Sequence, residues 1–357
     1  MRLGLIIYGS LDTLSGGYFY DRQLVSYLKS RGDEVQLISL PWRFYLAHLG
    51  DNFNSRLLKE LTFWEGDVLL QDELNHPSLF WLNRMLKRRV KFPIISIVHH
   101  LRSSERHQKW LKRLYALVER AYLRTVDAFV FNSYTTRQSV EQLSGMSCRG
   151  IVAYPAGDRF GSSITLEQIQ QRCRQQGPLQ IIFIGNITLR KGLHVLIEAL
   201  GQLMDIEWRL HVVGRLNVEP KYFCGLEARL ADLHLESRVY IHGETSDEKL
   251  SSLLRVAHVL VMPSSYEGFG IACLEGMGWG VPAVAFASGG VTEIIENHRS
   301  GVLLPMDDVA ALADSLRRMQ SDRALLEMLS LGARKRFDDF PSWEQTCEKI
   351  YSFLHTL

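Results

Sequence analysis

The sequence predicts an α/β protein made of two doubly wound, Rossmann-like units in series, and three observations carry that reading. Short apolar runs alternate with longer segments of helical periodicity, the pattern of successive βαβ units. A polar stretch at 157–179 breaks the alternation. A fresh strand pattern, Ile181-Ile182-Phe183-Ile184-Gly185, then restarts it.

In the first series the strands are expected at 3–8, 35–40, 68–71, 94–98, 128–131 and 151–154. The junction between the units falls in the polar stretch, which includes Gly161-Ser162-Ser163 and Gln170-Gln171. The second series places strands at 181–185, 210–213, 239–242, 259–262 and 283–286, each leading into a helix-like segment. Two such units put a ligand cleft at the carboxyl ends of their sheets. The chain has 357 residues, 46% of them apolar, which suffices for about two domain cores.

Composition excludes several classes. Lys and Arg number 41 against 39 Asp and Glu, and a net charge of +2 gives no footing for nucleic acid. The five cysteines are odd in number, scattered and without a Cys-x-x-Cys pair, so neither a disulfide framework nor a zinc site is indicated. No run approaches the ~18 apolar residues of a membrane span, and Met1 to Tyr8 reads as a first strand rather than a secretory signal. A cytoplasmic protein is expected.

The chemistry concentrates at Tyr266-Glu267-Gly268-Phe269-Gly270-Ile271-Ala272-Cys273-Leu274-Glu275. The apolar run 259–262 ends at Pro263-Ser264-Ser265, and a helix is expected to begin near Gly270. Glycines at 268 and 270 let the backbone approach a ligand, and the unpaired N–H groups of a first helical turn favour an anion such as phosphate. Glu275 then lies about 7.5 Å further along the axis, in reach of a ribose diol. Glu267, ahead of the helix, faces the far side of the phosphates. Elsewhere, Ile94-Ile95-Ser96-Ile97-Val98 ends at His99-His100, which puts a histidine at a strand's carboxyl end. No His-Glu-x-x-His motif, Asp-x-Asp motif or carboxylate partner is evident to complete a metal site there.

The segment 241–295, with its Glu-x7-Glu motif, resembles the C-terminal signature of the retaining glycosyltransferases of family 4, also called glycosyltransferase group 1. The segment 182–200 resembles the same family's phosphate-binding region, and Gly16-Gly17 before an amphipathic helix resembles its N-terminal glycine loop. The resemblance implies the GT-B fold, two Rossmann-like domains facing across a cleft. Its domains would be 1–160 plus 341–357 for the acceptor and 161–340 for the nucleotide sugar, because 342–354 looks like the terminal helix that crosses back to the first domain.

That resemblance also implies roles. Lys191 would neutralise the donor diphosphate, Glu275 would bind the ribose, and Glu267 would stand near the transferred sugar. The amides of Phe269 and Gly270, together with Gly16 and Gly17, would approach the sugar and phosphates. His99 matches the family's cleft histidine. The family usually carries an arginine after the strand glycine, where this chain has Asn186, and Arg190 is the candidate to supply the lost charge. Retention is described in this family as same-face displacement, assisted by the leaving phosphate, so it requires neither a protein nucleophile nor a metal. The implied reaction transfers a hexosyl unit from a UDP- or GDP-sugar to a hydroxyl acceptor (a sugar, a lipid-linked sugar or a small metabolite), with no cofactor beyond the donor. The segments 126–133 and 155–158 resemble the family's cleft-facing loop and hinge approach.

Between Arg102 and Arg124 seven Lys/Arg stand against Glu105 and Glu119, a local balance of +5, while Trp110, Leu114, Leu117, Val118 and Ala121 recur at helical spacing. This basic amphipathic helix, with Lys87-Arg88-Arg89-Val90-Lys91-Phe92, suits peripheral contact with an anionic membrane at its inner face as well as a solvated surface. Two other readings of the whole chain are a nucleotide-sugar epimerase and a sugar-nucleotide-binding scaffold without turnover, to which Asn186 points. An oxidoreductase is disfavoured, since Gly276-x-Gly278 continues to Val281 where a dinucleotide fingerprint needs its third glycine.

Overall fold

The computed structural model describes residues 1–161 and 164–357; Ser162 and Ser163 of the expected junction lie outside the described residues. The chain divides into two compact units, Met1–Pro155 with Trp343–Leu357, and Ala156–Ser342.

The first unit runs β1 (Arg2–Tyr8), α1 (Gly16–Ser30), β2 (Glu34–Leu40), α2 (Tyr45–Gly50), α3 (Ser55–Phe63), β3 (Val68–Asp72), α4 (His76–Leu79), α5 (Leu82–Leu86), β4 (Ile94–Val98), α6 (Lys109–Leu123), β5 (Ala128–Phe131), α7 (Tyr134–Ser144) and β6 (Gly150–Val152). Its sheet is parallel throughout, in the order β2-β1-β3-β4-β5-β6. The chain winds outward from β1 to β2, then returns to β3 on the other side, so the order reverses between β1 and β3. β1, β3, β4 and β5 are buried almost end to end, which explains why they read as unbroken apolar runs rather than alternating ones. β6 opens on Gly150, where a Cβ would lie 2.4 Å from the carbonyl oxygen of Phe129 in the neighbouring strand.

The second unit runs α8 (Leu166–Arg174), β7 (Leu179–Ile184), α9 (Leu193–Gly201), β8 (Trp208–Val213), α10 (Pro220–Asp232), β9 (Val239–Gly243), α11 (Asp247–Val256), β10 (Val259–Met262), α12 (Ile271–Gly278), β11 (Ala283–Phe286), α13 (Val291–Ile294), β12 (Gly301–Leu304), α14 (Val309–Ser321) and α15 (Arg323–Asp338). Its parallel order is β12-β11-β10-β7-β8-β9, so its reversal falls between β7 and β10. β12 is a strand that the sequence reading did not anticipate. Helix starts follow side-chain chemistry: Thr165 and Gln168 form a reciprocal capping box at α8, and Ser246 and Asp322 cap α11 and α15.

The final helix, α16 (Trp343–Leu354), belongs to the first unit, where it packs on α1. Trp343 meets Phe19 and Tyr20 edge-on at 5.3 and 5.7 Å, and Thr346 donates to the carbonyl oxygen of Tyr154 at 2.6 Å.

Candidate active site

In the second unit three loops meet at the carboxyl ends of β7, β10 and β11. After β7 the chain makes a 3-10 turn, Leu189–Lys191, that closes on Gly192 at φ 74°. A Cβ at Gly192 would sit 2.0 Å from the carbonyl oxygen of Pro263, so only glycine lets this turn lie against the exit of β10. Arg190 and Ser265 lock the two loops together, the Ser265 amide donating to the Arg190 carbonyl at 2.8 Å. The side chain of Lys191 passes over Gly185 and its Nζ donates to Glu267 Oε1 at 2.5 Å. Arg190 Nη1 donates to the Tyr266 carbonyl at 2.7 Å and stands 3.7 Å from the same Glu267 oxygen. Burial alone would raise the Glu267 carboxyl, but Lys191 and then Arg190 outweigh it and hold the group below the ordinary carboxylate range.

The third loop supports the second from beneath. Gly289, at φ 64°, and Gly290 follow β11, and the Gly290 amide donates to the Glu267 carbonyl at 2.9 Å. Cβ atoms at these two positions would come within 1.8 Å of the Glu267 carbonyl oxygen and 2.4 Å of that of Gly268.

Helix α12 starts where the sequence places it, with Gly270 as its N-cap at φ 106°. The Phe269 ring is buried and edge-on to Phe340 at 6.0 Å, so only its backbone is available to a ligand. Glu275 is buried on α12, 5% exposed, and faces Arg159 Nη1 at 3.7 Å. Burial pushes its carboxyl up to about 7 against the opposing pull of Arg159. Arg159 also donates to Asp247, with Nε 3.1 Å from Oδ2. It reaches Glu275 because Gly157 lets the chain pass against α12: a Cβ there would lie 2.8 Å from the Leu274 carbonyl carbon. The sequence reading took 155–158 as a hinge approach and missed Arg159. Asn186 follows Gly185 at the exit of β7 and is half-buried.

In the first unit, Gly16 and Gly17 are the first two residues of α1 rather than a loop ahead of it, because Ser15 caps the helix by accepting from the Tyr18 amide at 3.3 Å. Gly17 packs closely: a Cβ on it would lie 3.0 Å from His99 Cδ2. His99 Nε2 is 3.1 Å from Asp21 Oδ1, and the other oxygen of the fully buried Asp21 has no hydrogen-bond partner. Burial would lower the His99 imidazole, but Asp21, with help from Asp72 and Glu73, raises it to about 9. Asp72, at the carboxyl end of β3, is pushed up to about 7, by burial first and Asp21 second. His100 turns elsewhere, to Glu105 at 2.9 Å.

The expectation that no carboxylate joins the histidines is therefore corrected. Asp21, Asp72 and His99 bring ligand atoms within 4.8 Å of one another, as do the buried Glu73, His76 and Glu119, and these are the sets among the described residues that could hold a cation. Long-range packing of helix α1 against the end of β4 supplies Asp21, which no local spacing announced. Asp72 had a signal, since it directly follows the expected strand 68–71.

Residues 165–336 match the family described as glycosyl transferases group 1. The chain is 26% identical over 318 residues to a glycogen synthase of Mycobacterium tuberculosis, an alignment covering 85% of this chain and 73% of that enzyme. It is 33% identical over 165 residues to a D-inositol 3-phosphate glycosyltransferase of Xylanimonas cellulosilytica, covering 46% of this chain and 39% of that one. Among solved structures it is similar to sucrose-phosphate synthase from Thermosynechococcus elongatus, with a TM-score of 0.85 at 19% identity over 99% of this chain and 98% of the other. It is also similar to Anabaena HepE in complex with UDP and glucose, with a TM-score of 0.78 at 18% identity over the full length of both. At these identities the structural likeness establishes the fold, which is GT-B.

Proposed function

We propose that this chain, which has the GT-B fold and whose residues 165–336 match glycosyl transferases group 1, transfers a hexosyl unit from a UDP- or GDP-sugar to a hydroxyl acceptor with retention of anomeric configuration. The observation that carries this reading is the convergence of Lys191, Arg190 and Glu267 at the reversal point between β7 and β10. A carboxylate paired with two cations suits a diphosphate and its sugar, and this supports the reading. Lys191, with three N–H donors, keeps Glu267 in place with one and offers the others to the phosphates. As the glycosidic bond breaks, charge grows on the departing diphosphate and Lys191 and Arg190 stabilise it without reorganising. Glu267 in turn offsets positive charge developing on the sugar ring. Glu275, in its carboxylate form beside Arg159, accepts from the ribose hydroxyls. The second unit takes the donor and the first the acceptor, and Asp21 orients the His99 ring within the first.

Displacement occurs on one face, the leaving phosphate taking the acceptor proton, and the cationic side chains supply the charge neutralisation that a divalent ion supplies elsewhere. The HepE complex with UDP and glucose supports a uridine donor by likeness alone.

The test is direct. A panel of UDP, GDP and ADP sugars is screened by thermal shift, the stabilising donor is incubated with candidate acceptors in the presence and absence of EDTA, and the product anomer is read by NMR. The expected result is a retained anomer with turnover unchanged by EDTA. An inverted product, loss of turnover on chelation, or interconversion of the donor without transfer would each reject a stated part of the proposal.

A further inference from the structure

One residue on from Asp72, the first unit buries a second set of ionisable groups for which the transfer chemistry has no use. Glu73 opens the 3-10 turn Glu73–Asn75 that leaves β3, His76 begins α4, and Glu119 lies on α6. The Glu-x-x-His spacing sets a carboxylate and an imidazole about one helical turn apart on the same face. Packing of α4 on α6 brings the second carboxylate to them. The three donor atoms lie within 4.8 Å of one another, and Glu73 is 3% exposed, His76 1% and Glu119 0%. Among the described residues neither carboxylate forms an ion pair with Lys or Arg. The guanidinium of Arg102 covers the Tyr45 and Tyr115 rings instead, at 5.5 and 4.9 Å.

Glu73 Oε1 is the atom that points to a ligand. It is buried and accepts no hydrogen bond, although His76 Nδ1 stands 3.1 Å away. The same nitrogen is 3.1 Å from the Glu73 backbone carbonyl, and Nε2 is 3.0 Å from the Tyr45 hydroxyl. With the ring proton on Nδ1, the carbonyl takes it and Oε1 is left unsatisfied in the interior, which is costly. With the proton on Nε2, donated to Tyr45, a bare nitrogen faces two oxygens and their lone pairs repel. A cation set among them turns that repulsion into coordination. Two donors each about 2.1 Å from one ion stand roughly 3.0 Å apart in an octahedral site and roughly 3.4 Å apart in a tetrahedral one. The observed 3.1 Å falls between.

We propose that Glu73, His76 and Glu119 bind one divalent zinc or manganese ion, which pins the end of β3 to α6. His76 ligates through Nδ1 and the glutamates through carboxylate oxygens. The supporting partners are in place: Tyr45 receives the Nε2–H, and the Ser103 amide donates to both Glu119 oxygens, at 3.2 and 3.3 Å. An imidazole beside two carboxylates suits these metals better than magnesium or calcium, which take oxygen donors. Burial pushes the Glu73 and Glu119 carboxyls up, to about 8 and about 7, so the ion enters in exchange for their protons. All three donors are buried, so the ion holds structure and does not meet substrate. The inference therefore stands apart from the transfer reading above.

Zinc binds more tightly than manganese at a given site and is the probe. The full chain is produced in zinc-replete and in chelator-treated medium and then desalted. Elemental analysis should find one zinc per chain in the replete protein, and its thermal transition should lie about 5 °C or more above that of the depleted one. X-ray absorption of the zinc-loaded, unsubstituted chain should show nitrogen and oxygen donors at about 2.0–2.2 Å, the scattering of a single imidazole, and no sulfur. Glu73→Gln and His76→Gln should each abolish both the retained zinc and the thermal gain. Should either variant fail to fold, the spectrum of the unsubstituted chain decides. Absence of zinc from the replete protein would overturn the inference, as would zinc that survives both substitutions. A spectrum with sulfur would do the same, and so would one with two imidazoles, the signature of the stacked pair His211 and His242, whose facing nitrogens are 2.9 Å apart. None of these readouts uses turnover, so failure of the transfer reading leaves them unchanged.

Discussion

The two units bury acidic groups in opposite ways. In the second, Glu267 lies against Lys191 and Arg190 and its carboxyl stays below the ordinary range. In the first, Asp72, Glu73 and Glu119 are packed with histidines and with one another, and burial raises them to about 7, 8 and 7. His99 is raised to about 9 while His76 is lowered to about 4. The lesson concerns partners. A buried carboxylate in direct contact with Lys and flanked by Arg, as Glu267 is, stays on the charged side and suits a role in charge stabilisation, whereas one beside histidine and other acids is pushed towards its neutral form and suits positioning.

The largest effect that could break this contrast is expected at Lys191. Lys191→Met should lower turnover by roughly 10²- to 10³-fold through loss of leaving-group stabilisation. It should also destabilise the second unit by about 3 kcal/mol, because it leaves a buried carboxylate with only Arg190. Adding Glu267→Gln should restore most of the stability and none of the turnover. Calorimetry and initial rates on the three proteins measure both arms, and a single variant of full activity would end the argument for fixed charge.

A smaller effect sharpens the comparison at Glu275, the one acid of the second unit that behaves like those of the first. Its carboxyl is raised to about 7. The folded protein thus binds this proton more tightly than the unfolded chain, so the group's contribution to stability falls as pH rises from the ordinary carboxyl range through about 7. Donor affinity should move the other way, rising as the carboxylate forms. Titration calorimetry between pH 6 and pH 8 should show that rise, taken here as about tenfold at most, and Glu275→Gln should bind weakly at every pH without the slope.

The smallest effect is expected at Asp21. With His99 raised to about 9, the histidine's stabilisation is complete below its ordinary value and is lost as pH rises through about 9. Asp72, raised to about 7, adds a loss of the same sign at lower pH. Asp21→Asn should remove the main partner of His99 and bring the ring's titration down by about a unit or more, in NMR, with KM for the donor little changed. An unmoved His99 titration would show that Asp21 does not position it.

Much of the fold was legible because both sheets are parallel and covered on both faces. Buried runs such as Ile94-Ile95-Ser96-Ile97-Val98 and Val259-Leu260-Val261-Met262 stand out against helical neighbours, and the Glu-x7-Glu segment places its own loop and helix start within ten residues. β12 escaped because Gly301-Val302-Leu303-Leu304 is four residues long and has no period to separate it from a turn. Arg159, Asp21 and Gly289 escaped for another reason. Each acts on a residue remote in sequence, and a charge within an amphipathic helix or after a hinge looks like any solvated charge until the backbone brings its partner. Gly16 and Gly17 were visible but expected ahead of the helix, whereas the Ser15 cap starts it at Gly16 itself.

The glycine pair after β11 sets a limit on how this protein can be rebuilt. Since Gly289 touches the peptide that carries Glu267, with no room for a single methyl group, the placement of that acid is inherited from a neighbour with no chemistry of its own. A randomised library spanning 288–291 and selected for transfer should therefore return glycine at 289 almost alone. Variation sought for new donors would have to enter through side chains such as Asn186, which project from loops whose course is already decided.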